Sequence, residues 1–201
     1  MLGIILCGGQ SLRMGSDKGL LKLQSITWAQ NAMNKMTVLN IPVKISVNKQ
    51  QYPQYAAIFS PDDLIADNEM LEFKGPLLGL LSCHFSFTSE DLFVLACDMP
   101  LMDTMLLKEL FNLYKNPPCA DAYVFTNNGE REPLCGIYTA TGLASVASLL
   151  KNGQLTKHSM KFMLDNLNVC SAEANETKKK CFTNFNAHSE VNAHLPGGRG
   201  L

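Results

Sequence analysis

The chain has 201 residues, of which 46% are hydrophobic and 17% charged, and its formal net charge at pH 7 is −1. This length suits one compact domain, and the composition is typical of a globular protein rather than of a disordered one. A net charge near zero offers no broad basic surface to a nucleic acid or an anionic membrane, so neither is expected as a partner. We expect contacts to phosphate to come from a few placed side chains, which favours a small-molecule site.

The seven cysteines are scattered without a Cys-x-x-Cys pair, and the four histidines add no spacing typical of zinc. We therefore expect free thiols in a reducing compartment. The apolar start of the chain is shorter than the hydrophobic region of a signal peptide, and no run is long enough to span a bilayer. These features predict a cytoplasmic protein.

Strand-like and helix-like segments alternate through the first half of the chain, which indicates an α/β domain with a mostly parallel sheet. Residues 2–7 and 92–96 are continuous apolar runs, typical of strands buried on both faces. In chain order, we predict a strand over 2–7 and then a helix capped by Thr27, with Trp28, Ala32, Met33 and Met36 on one face. Strands over 43–47 and 56–59 follow, and then an Asp-rich loop over 60–74. We next predict a helix over 77–85, with Pro76 in its first turn, and a strand over 92–96.

The second half is predicted to add a helix, a hairpin and further helices. The first is a helix over 104–114 capped by Asp103, and strands over 122–126 and 134–139 then flank the turn Asn127-Asn128-Gly129. Helices over 141–150 and 156–164 follow. A late strand over 178–182 and a short terminal helix capped by Ser189 complete the predictions. No repeat or linker divides the chain. We predict a single domain over 1–195, followed by a loose C-terminal tail over 196–201.

The first predicted strand leads into a glycine-rich segment, residues 8–18, here called the glycine loop. Ligands of open α/β sheets bind beyond the carboxyl ends of the strands, where glycines let backbone N–H groups approach an anion. Arg13 and Lys18 add two positive charges, which suit a triphosphate with a pyrophosphate leaving group. The loop has neither the G-x-G-x-x-G pattern nor the Walker A pattern. Phosphate binding of another kind is predicted; a turn with two solvated cations is the alternative.

Asp98 follows the second buried strand and is expected at the same edge of the sheet as the glycine loop. Mg²⁺ prefers oxygen ligands and usually takes one or two carboxylates plus substrate phosphates. The alternative role for Asp98 is to cap a turn or the next helix, but Asp103 is better placed for capping. The pattern therefore predicts that Asp98 is a ligand of Mg²⁺.

Three motifs carry a family resemblance. The segment L-C-G-G-Q-S-L-R-M-G-S-D-K-G-L-L, residues 6–21, resembles the L-x-G-G-x-S-x-R-M-G-x-D-K-x-L-L signature of the molybdenum cofactor guanylyltransferases, the MobA family. C-D-M-P at 97–100 and G-P-L-L-G-L at 75–80 are similar to two further motifs of that family. Weaker similarities, P-L-C-G-I-Y at 133–138 and N-F-N-A at 184–187, extend the resemblance to nearly the whole chain. Ala187 stands where the family usually has Thr.

The resemblance implies a three-layer α/β/α Rossmann-like nucleotidyltransferase domain that uses Mg²⁺ as cofactor. It implies transfer of GMP from GTP to the terminal phosphate of a molybdopterin-type acceptor, with release of pyrophosphate and handover to a molybdoenzyme or a cofactor-insertion protein. The candidate site residues are Arg13, Lys18 and Asp98 for catalysis and nucleotide binding, with Asp98 as metal ligand; Leu6, Cys7, Gly8, Gly9, Asn48, Asp62, Asp63, Gly75, Pro76 and Leu77 for the nucleotide; and Pro133, Leu134, Asn184 and Asn186 for the acceptor.

The residue that reads guanine stays open among Asp62, Asp63 and Asp67, because a carboxylate at any of them can accept the N1–H and N2–H₂ donors of the base. A solvated acidic loop is the alternative for each. Three rival functions also stay open: a related transferase that uses CTP or a sugar-phosphate acceptor, a Rossmann-type oxidoreductase, and a non-catalytic nucleotide-binding protein.

Overall fold

A computed structural model of the protein describes residues 1–8, 17–23, 25–116 and 119–185. The strands in these ranges are β1 (Leu2–Leu6), β2 (Lys22–Leu23), β3 (Ile26–Thr27), β4 (Val43–Val47), β5 (Leu64–Ala66), β6 (Leu92–Ala96), β7 (Ala122–Asn127), β8 (Glu130–Tyr138) and β9 (Val169–Glu173). The α-helices are α1 (Trp28–Met36), α2 (Tyr52–Ala56), α3 (Pro76–Ser86), α4 (Thr104–Lys115), α5 (Ala140–Lys151) and α6 (Met160–Asp165). The predicted cap at Ser189 and the predicted tail over 196–201 lie outside the described residues.

Within the described ranges, seven strands form one sheet in the order β5-β4-β1-β6-β8-β7-β9. β1 pairs in parallel with β4 and β6, and β4 with β5 and β7 with β9 are parallel as well. β8 runs antiparallel to both of its neighbours. The prediction of a mostly parallel central sheet is therefore confirmed.

Helices cover both faces of this sheet. In β1, Ile5 faces the core shared with α1 and α4, whereas its neighbour Ile4 faces the core shared with α3, α5 and α6. Neither side chain is exposed to solvent. Because successive strand residues point to opposite faces, an apolar run without alternation is the pattern of a strand covered on both sides. The three-layer α/β/α arrangement is confirmed.

The prediction of a third strand over 56–59 is wrong. That stretch is the end of α2 and the turn after it, because Pro53 starts a helical turn and the fully buried Tyr55 anchors it to the core. The third strand is β5, inside the stretch predicted as a loop over 60–74. Its two buried residues, Leu64 and Ile65, pair with β4. Three residues are too short a run to stand out among the surrounding Asp residues.

The prediction of a strand over 178–182 is also wrong. Those residues belong to a 3-10 helix, Glu176–Phe182, whose start is capped by the Asn175 side chain accepting from the Lys178 N–H. The late strand is β9, which adds to the edge of the sheet beside β7. Most of its residues are exposed or half-buried, so it lacks the apolar run by which the central strands were found.

Other predicted elements are confirmed with small shifts. Asp103 caps α4 by accepting from the Met105 N–H at 2.8 Å. The turn between β7 and β8 has positive φ at Asn128 (53°) and Gly129 (77°), as a two-residue hairpin loop of this kind requires. The helix predicted over 156–164 begins later, at Met160, because Ser159 caps it.

The seven cysteines all lie in the described ranges and are free thiols. Among the described residues, no helix combines the length and the apolar character that crossing a membrane requires.

Replacing Gly142 by Ala tests the packing of α5 against Asp121, the residue before β7. A Cβ at Gly142 would lie 2.7 Å from the carbonyl oxygen and 2.8 Å from the Cβ of Asp121. We expect the free energy of unfolding to fall by about 1–3 kcal/mol, although Ala is the better helix former. Denaturant unfolding measures it, with the exposed Ser145→Ala of the same helix as control, expected within about 0.5 kcal/mol of wild type. Equal stability of both variants would contradict the close approach.

Candidate active site

A groove runs along the carboxyl ends of β1, β4, β5 and β6, where the parallel strands meet one edge of the sheet. The described residues line two cavities there, of about 640 Å³ and about 130 Å³. Gly8, Asp67 and Gly75 line both. The two cavities therefore adjoin, and the larger one has a volume typical of small-molecule sites. The edge is also where α/β sheets generally bind ligands.

The smaller cavity contains the Lys18–Asp98 ion pair. Lys18 Nζ lies 3.2 Å from Asp98 Oδ2, and about a fifth of each side chain is exposed. The other oxygen, Oδ1, is buried without a hydrogen-bond partner among the described residues. Burial raises the pKa of Asp98, while the ammonium of Lys18 opposes that rise. One oxygen of this carboxylate is thus held by a cation, and the other has no hydrogen-bond partner in the part of the chain that the structure describes.

This arrangement fits Mg²⁺. The orphaned Oδ1 is a hard oxygen ligand, and burying it without a partner is costly unless something binds there. The described residues hold no cluster of three or more His, Cys, Asp or Glu that would form an all-protein cage. A single carboxylate that shares its ion with substrate phosphates is how Mg²⁺ is commonly bound.

Three contacts fix the turn that carries Asp98. The Cys97 N–H donates to the Leu6 carbonyl at 3.1 Å, which extends the pairing of β1 with β6. The Lys35 ammonium donates to the Pro100 carbonyl, and burial lowers the pKa of Lys35 to about 8. From near the end of the described chain, the Phe185 N–H donates to the Asp98 carbonyl at 2.9 Å. Phe185 is itself packed on the buried Trp28.

The larger cavity is bounded by Asn48 after β4 and by Asp67 after β5. The Asp67 N–H donates to the Val47 carbonyl at 2.9 Å, and its Oδ1 is buried without a partner among the described residues. Burial raises the pKa of Asp67 to about 6. Asp62 and Asp63, by contrast, lie on a separate 3-10 turn, Pro61–Asp63, and line neither cavity.

The start of α3 contributes a wall to both cavities. Gly75 has φ of +98°, which favours glycine, and it lines both cavities. Gly79 packs so closely on β4 that a Cβ there would lie 2.7 Å from Ser46 Oγ. Pro76 lines the smaller cavity, whereas the Leu77 side chain is fully buried in the core.

The remaining candidates fall into three groups. Leu6, Cys7 and Leu134 line the smaller cavity together with Asp98. Asn184 is exposed beside Phe185 and thus near the Asp98 turn, while Pro133 offers its carbonyl to Tyr138 Oη at 2.7 Å. Gly9, Arg13 and Asn186 lie outside the described residues.

The sequence reasoning missed a hydrogen-bonded group next to Lys18. Asp17 accepts from Gln51 Nε2 at 2.6 Å and from Tyr55 Oη at 2.9 Å. Asp17 could have been found, since it is part of the M-G-x-D-K signature. Gln51 and Tyr55 carry no signal of their own, because they lie more than 30 residues away from Asp17, between the strands predicted over 43–47 and 56–59.

An open parallel sheet with a glycine, a lysine and a buried aspartate at its carboxyl edge is the architecture of a nucleotide-binding transferase. The chain matches the family model of the MobA-like NTP transferase domain over residues 3–167. The protein belongs to this family of nucleotidyltransferases.

Sequence similarity to named proteins extends over most of the chain. It is 29% identical over 188 residues to a protein of Flavobacterium johnsoniae named "Probable molybdenum cofactor guanylyltransferase", covering 94% of this chain and 93% of the other. It is 33% identical to the molybdenum cofactor guanylyltransferase of Campylobacter jejuni RM1221, covering 74% and 72%. The fold resembles that of molybdopterin-guanine dinucleotide biosynthesis protein A from Archaeoglobus fulgidus, with a TM-score of 0.76, 18% identity, and coverage of 97% and 100%.

Replacing Asp67 by Asn is expected to stabilise the ligand-free protein. Because burial raises the pKa of Asp67 from 3.8 to about 6, the folded state binds more protons than the unfolded state between these values. Wild-type stability therefore falls as the pH rises from about 4 to about 6, a loss that Asn does not share. Since the carboxyl is partly exposed, we expect a gain of about 1 kcal/mol near neutral pH.

Urea unfolding of both proteins across this pH range measures the difference, which should shrink towards pH 4. Asp62→Asn, at an exposed position outside the groove, is the control and should follow wild type at each pH. A difference that does not change with pH would contradict the burial of the Asp67 charge.

Proposed function

We propose that the protein transfers GMP from GTP to the terminal phosphate of a molybdopterin-type acceptor, with Mg²⁺ as cofactor and pyrophosphate as the other product. The names of its relatives support the reaction. The observation that carries the proposal is the Asp98 carboxylate. One of its oxygens contacts Lys18 and the other has no partner among the residues described, and the cavity that holds it adjoins one large enough for a nucleoside. The product would pass to a molybdoenzyme or a cofactor-insertion protein.

Guanine suits the larger cavity because of Asp67. Its buried Oδ1 has no partner among the described residues, and a carboxylate accepts a pair of donors such as N1–H and N2–H₂. At the corresponding edge, cytosine has the N4–H₂ donor beside the N3 acceptor. The carboxylate could accept from N4–H₂ but would face the lone pair of N3. Asn48 lines the same cavity and is available to the base or the ribose. These features favour GTP over CTP.

The chemistry needs little from the protein beyond placement and charge. A phosphate acceptor is already ionised near neutral pH, so its oxygen attacks the α-phosphorus without a protein nucleophile or a strong base. Asp98 would hold Mg²⁺, which would supply neutralisation of the phosphate charges. Lys18, 3.2 Å from Asp98, would stabilise the leaving pyrophosphate, and Arg13 would share this role.

Pyrophosphate release from GTP with Mg²⁺ and purified molybdopterin tests the reaction. We expect Asp98→Asn and Lys18→Ala each to lower kcat by about 100-fold or more, because each removes charge stabilisation in the transition state. Glu109→Gln, at an exposed position of α4, is the control and should retain activity. Release with CTP or with a sugar phosphate instead would assign a related transferase; GTP binding without release would assign a non-catalytic role.

Base selection is tested at Asp67. Asp67→Asn should lower kcat/KM for GTP by about 10- to 100-fold and raise it for xanthosine triphosphate, because an amide accepts from N1–H and donates to a C2 carbonyl. Steady-state kinetics with both nucleotides measure the exchange. A loss of GTP use in Asp62→Asn or Asp63→Asn, with Asp67→Asn unaffected, would move base recognition to the other turn.

A further inference from the structure

One side-chain amide joins the two ends of the glycine loop. Gln51 Nε2 donates to the carbonyl of Cys7 at 3.0 Å and to Oδ2 of Asp17 at 2.6 Å. Cys7 directly precedes the loop, and Asp17 directly precedes Lys18. An amide nitrogen carries two hydrogens, so it can serve both acceptors at once. The separation of the loop ends is thereby set by a residue outside the loop.

The Asp17 end of this connection is held rigidly. Asp17 Oδ1 accepts from the Gly19 N–H at 2.9 Å and from Tyr55 Oη at 2.9 Å. Tyr55 is fully buried, and a Cβ at Gly19 would lie 2.1 Å from its hydroxyl oxygen. Only glycine fits at 19, so the backbone on both sides of Lys18 is fixed by packing as well as by hydrogen bonds.

The other end of the Gln51 side chain reaches the nucleoside side of the groove. Gln51 Oε1 accepts from the Asn48 N–H at 2.9 Å, and Asn48 Oδ1 accepts from the Gln51 N–H at 2.9 Å. Asn48 lines the larger cavity. The same residue thus contacts the segment that bears Lys18 and the segment that bears Asn48, which belong to opposite parts of a bound nucleotide.

We propose that Gln51 is a positioning residue that sets Lys18 and Asn48 at the spacing of a nucleoside triphosphate, without contacting the substrate itself. The proposal rests on the proposed function, because it takes the groove to be the nucleotide site. Gln51 lines neither cavity, which is why its effect must pass through the residues it holds. Loss of the Gln51 donors leaves Asp17 Oδ2 and the Cys7 carbonyl without that partner. The folded state then loses the free energy typical of hydrogen bonds to charged groups.

Gln51→Met keeps the approximate shape of the side chain and removes both its N–H donors and the Oε1 acceptor of the Asn48 N–H, and the exposed Gln54→Met in α2, the helix that follows Gln51, is the matched control. We expect Gln51→Met to raise the KM for GTP, and its dissociation constant by calorimetry, about tenfold or more. The KM for the acceptor should stay near that of Gln54→Met, while the melting temperature falls by only the few degrees that the lost hydrogen bonds imply. A general loss of structure would raise both KM values together.

Two further measurements keep the test decisive. If Gln51→Met does not fold, Tyr55→Phe removes the hydroxyl that donates to Asp17 and should raise the KM for GTP by a smaller factor without a change for the acceptor. If wild type releases no pyrophosphate, the proposed function fails, and GTP affinity by calorimetry still decides the role of Gln51. Equal GTP affinity in Gln51→Met and Gln54→Met overturns the inference.

Discussion

The parallel pairing of β1 with β4 and β6 determines where everything else in the site can lie. Because the three strands run in the same direction, their carboxyl ends reach one edge of the sheet and deliver Gly8, Asn48 and Asp98 there. β5 adds Asp67 to the same edge through its pairing with β4. The helices on both faces keep these strands dry, and their backbone hydrogen bonds leave little freedom for relative motion. The groove is therefore built on the most rigid part of the molecule, with its chemistry on the loops.

Two buried carboxylates stand out against this rigid background. Asp67 and Asp98 each hold an oxygen without a partner among the described residues, and burial raises the pKa of both. A buried carboxylate oxygen without a partner lowers the stability of the folded protein. Ligands would offset this cost: a cation and phosphates at Asp98, and the donors of a base at Asp67. The free energy of unfolding of the ligand-free protein is then lower than it would be without these two carboxylates, and ligand binding raises it.

The parts of the fold that the sequence predicted are those with dense local signals. β1 and β6 are unbroken apolar runs, and α3 and α4 have clear start signals at Pro76 and Asp103. The turn at Asn128-Gly129 needs positive φ at both positions, which Asn and Gly adopt readily. β5 and β9 were missed because a three-residue strand and an exposed edge strand carry almost no periodicity, and both depend on a neighbour for their pairing. The same limit applied to the site. Lys18 and Asp98 could be predicted from motifs, whereas Gln51 and Tyr55 matter through a tertiary meeting with Asp17.

The bond from Phe185 to the Asp98 carbonyl has a consequence for the order in which the protein is made. Phe185 lies beyond residue 167, where the match to the family domain ends, and packs on Trp28 from the first helix. When every strand of the described sheet has been synthesised, Phe185 and its hydrogen bond to the Asp98 turn are therefore still missing. During synthesis, the strands and helices of the three layers can therefore assemble before the Asp98 turn receives this hydrogen bond.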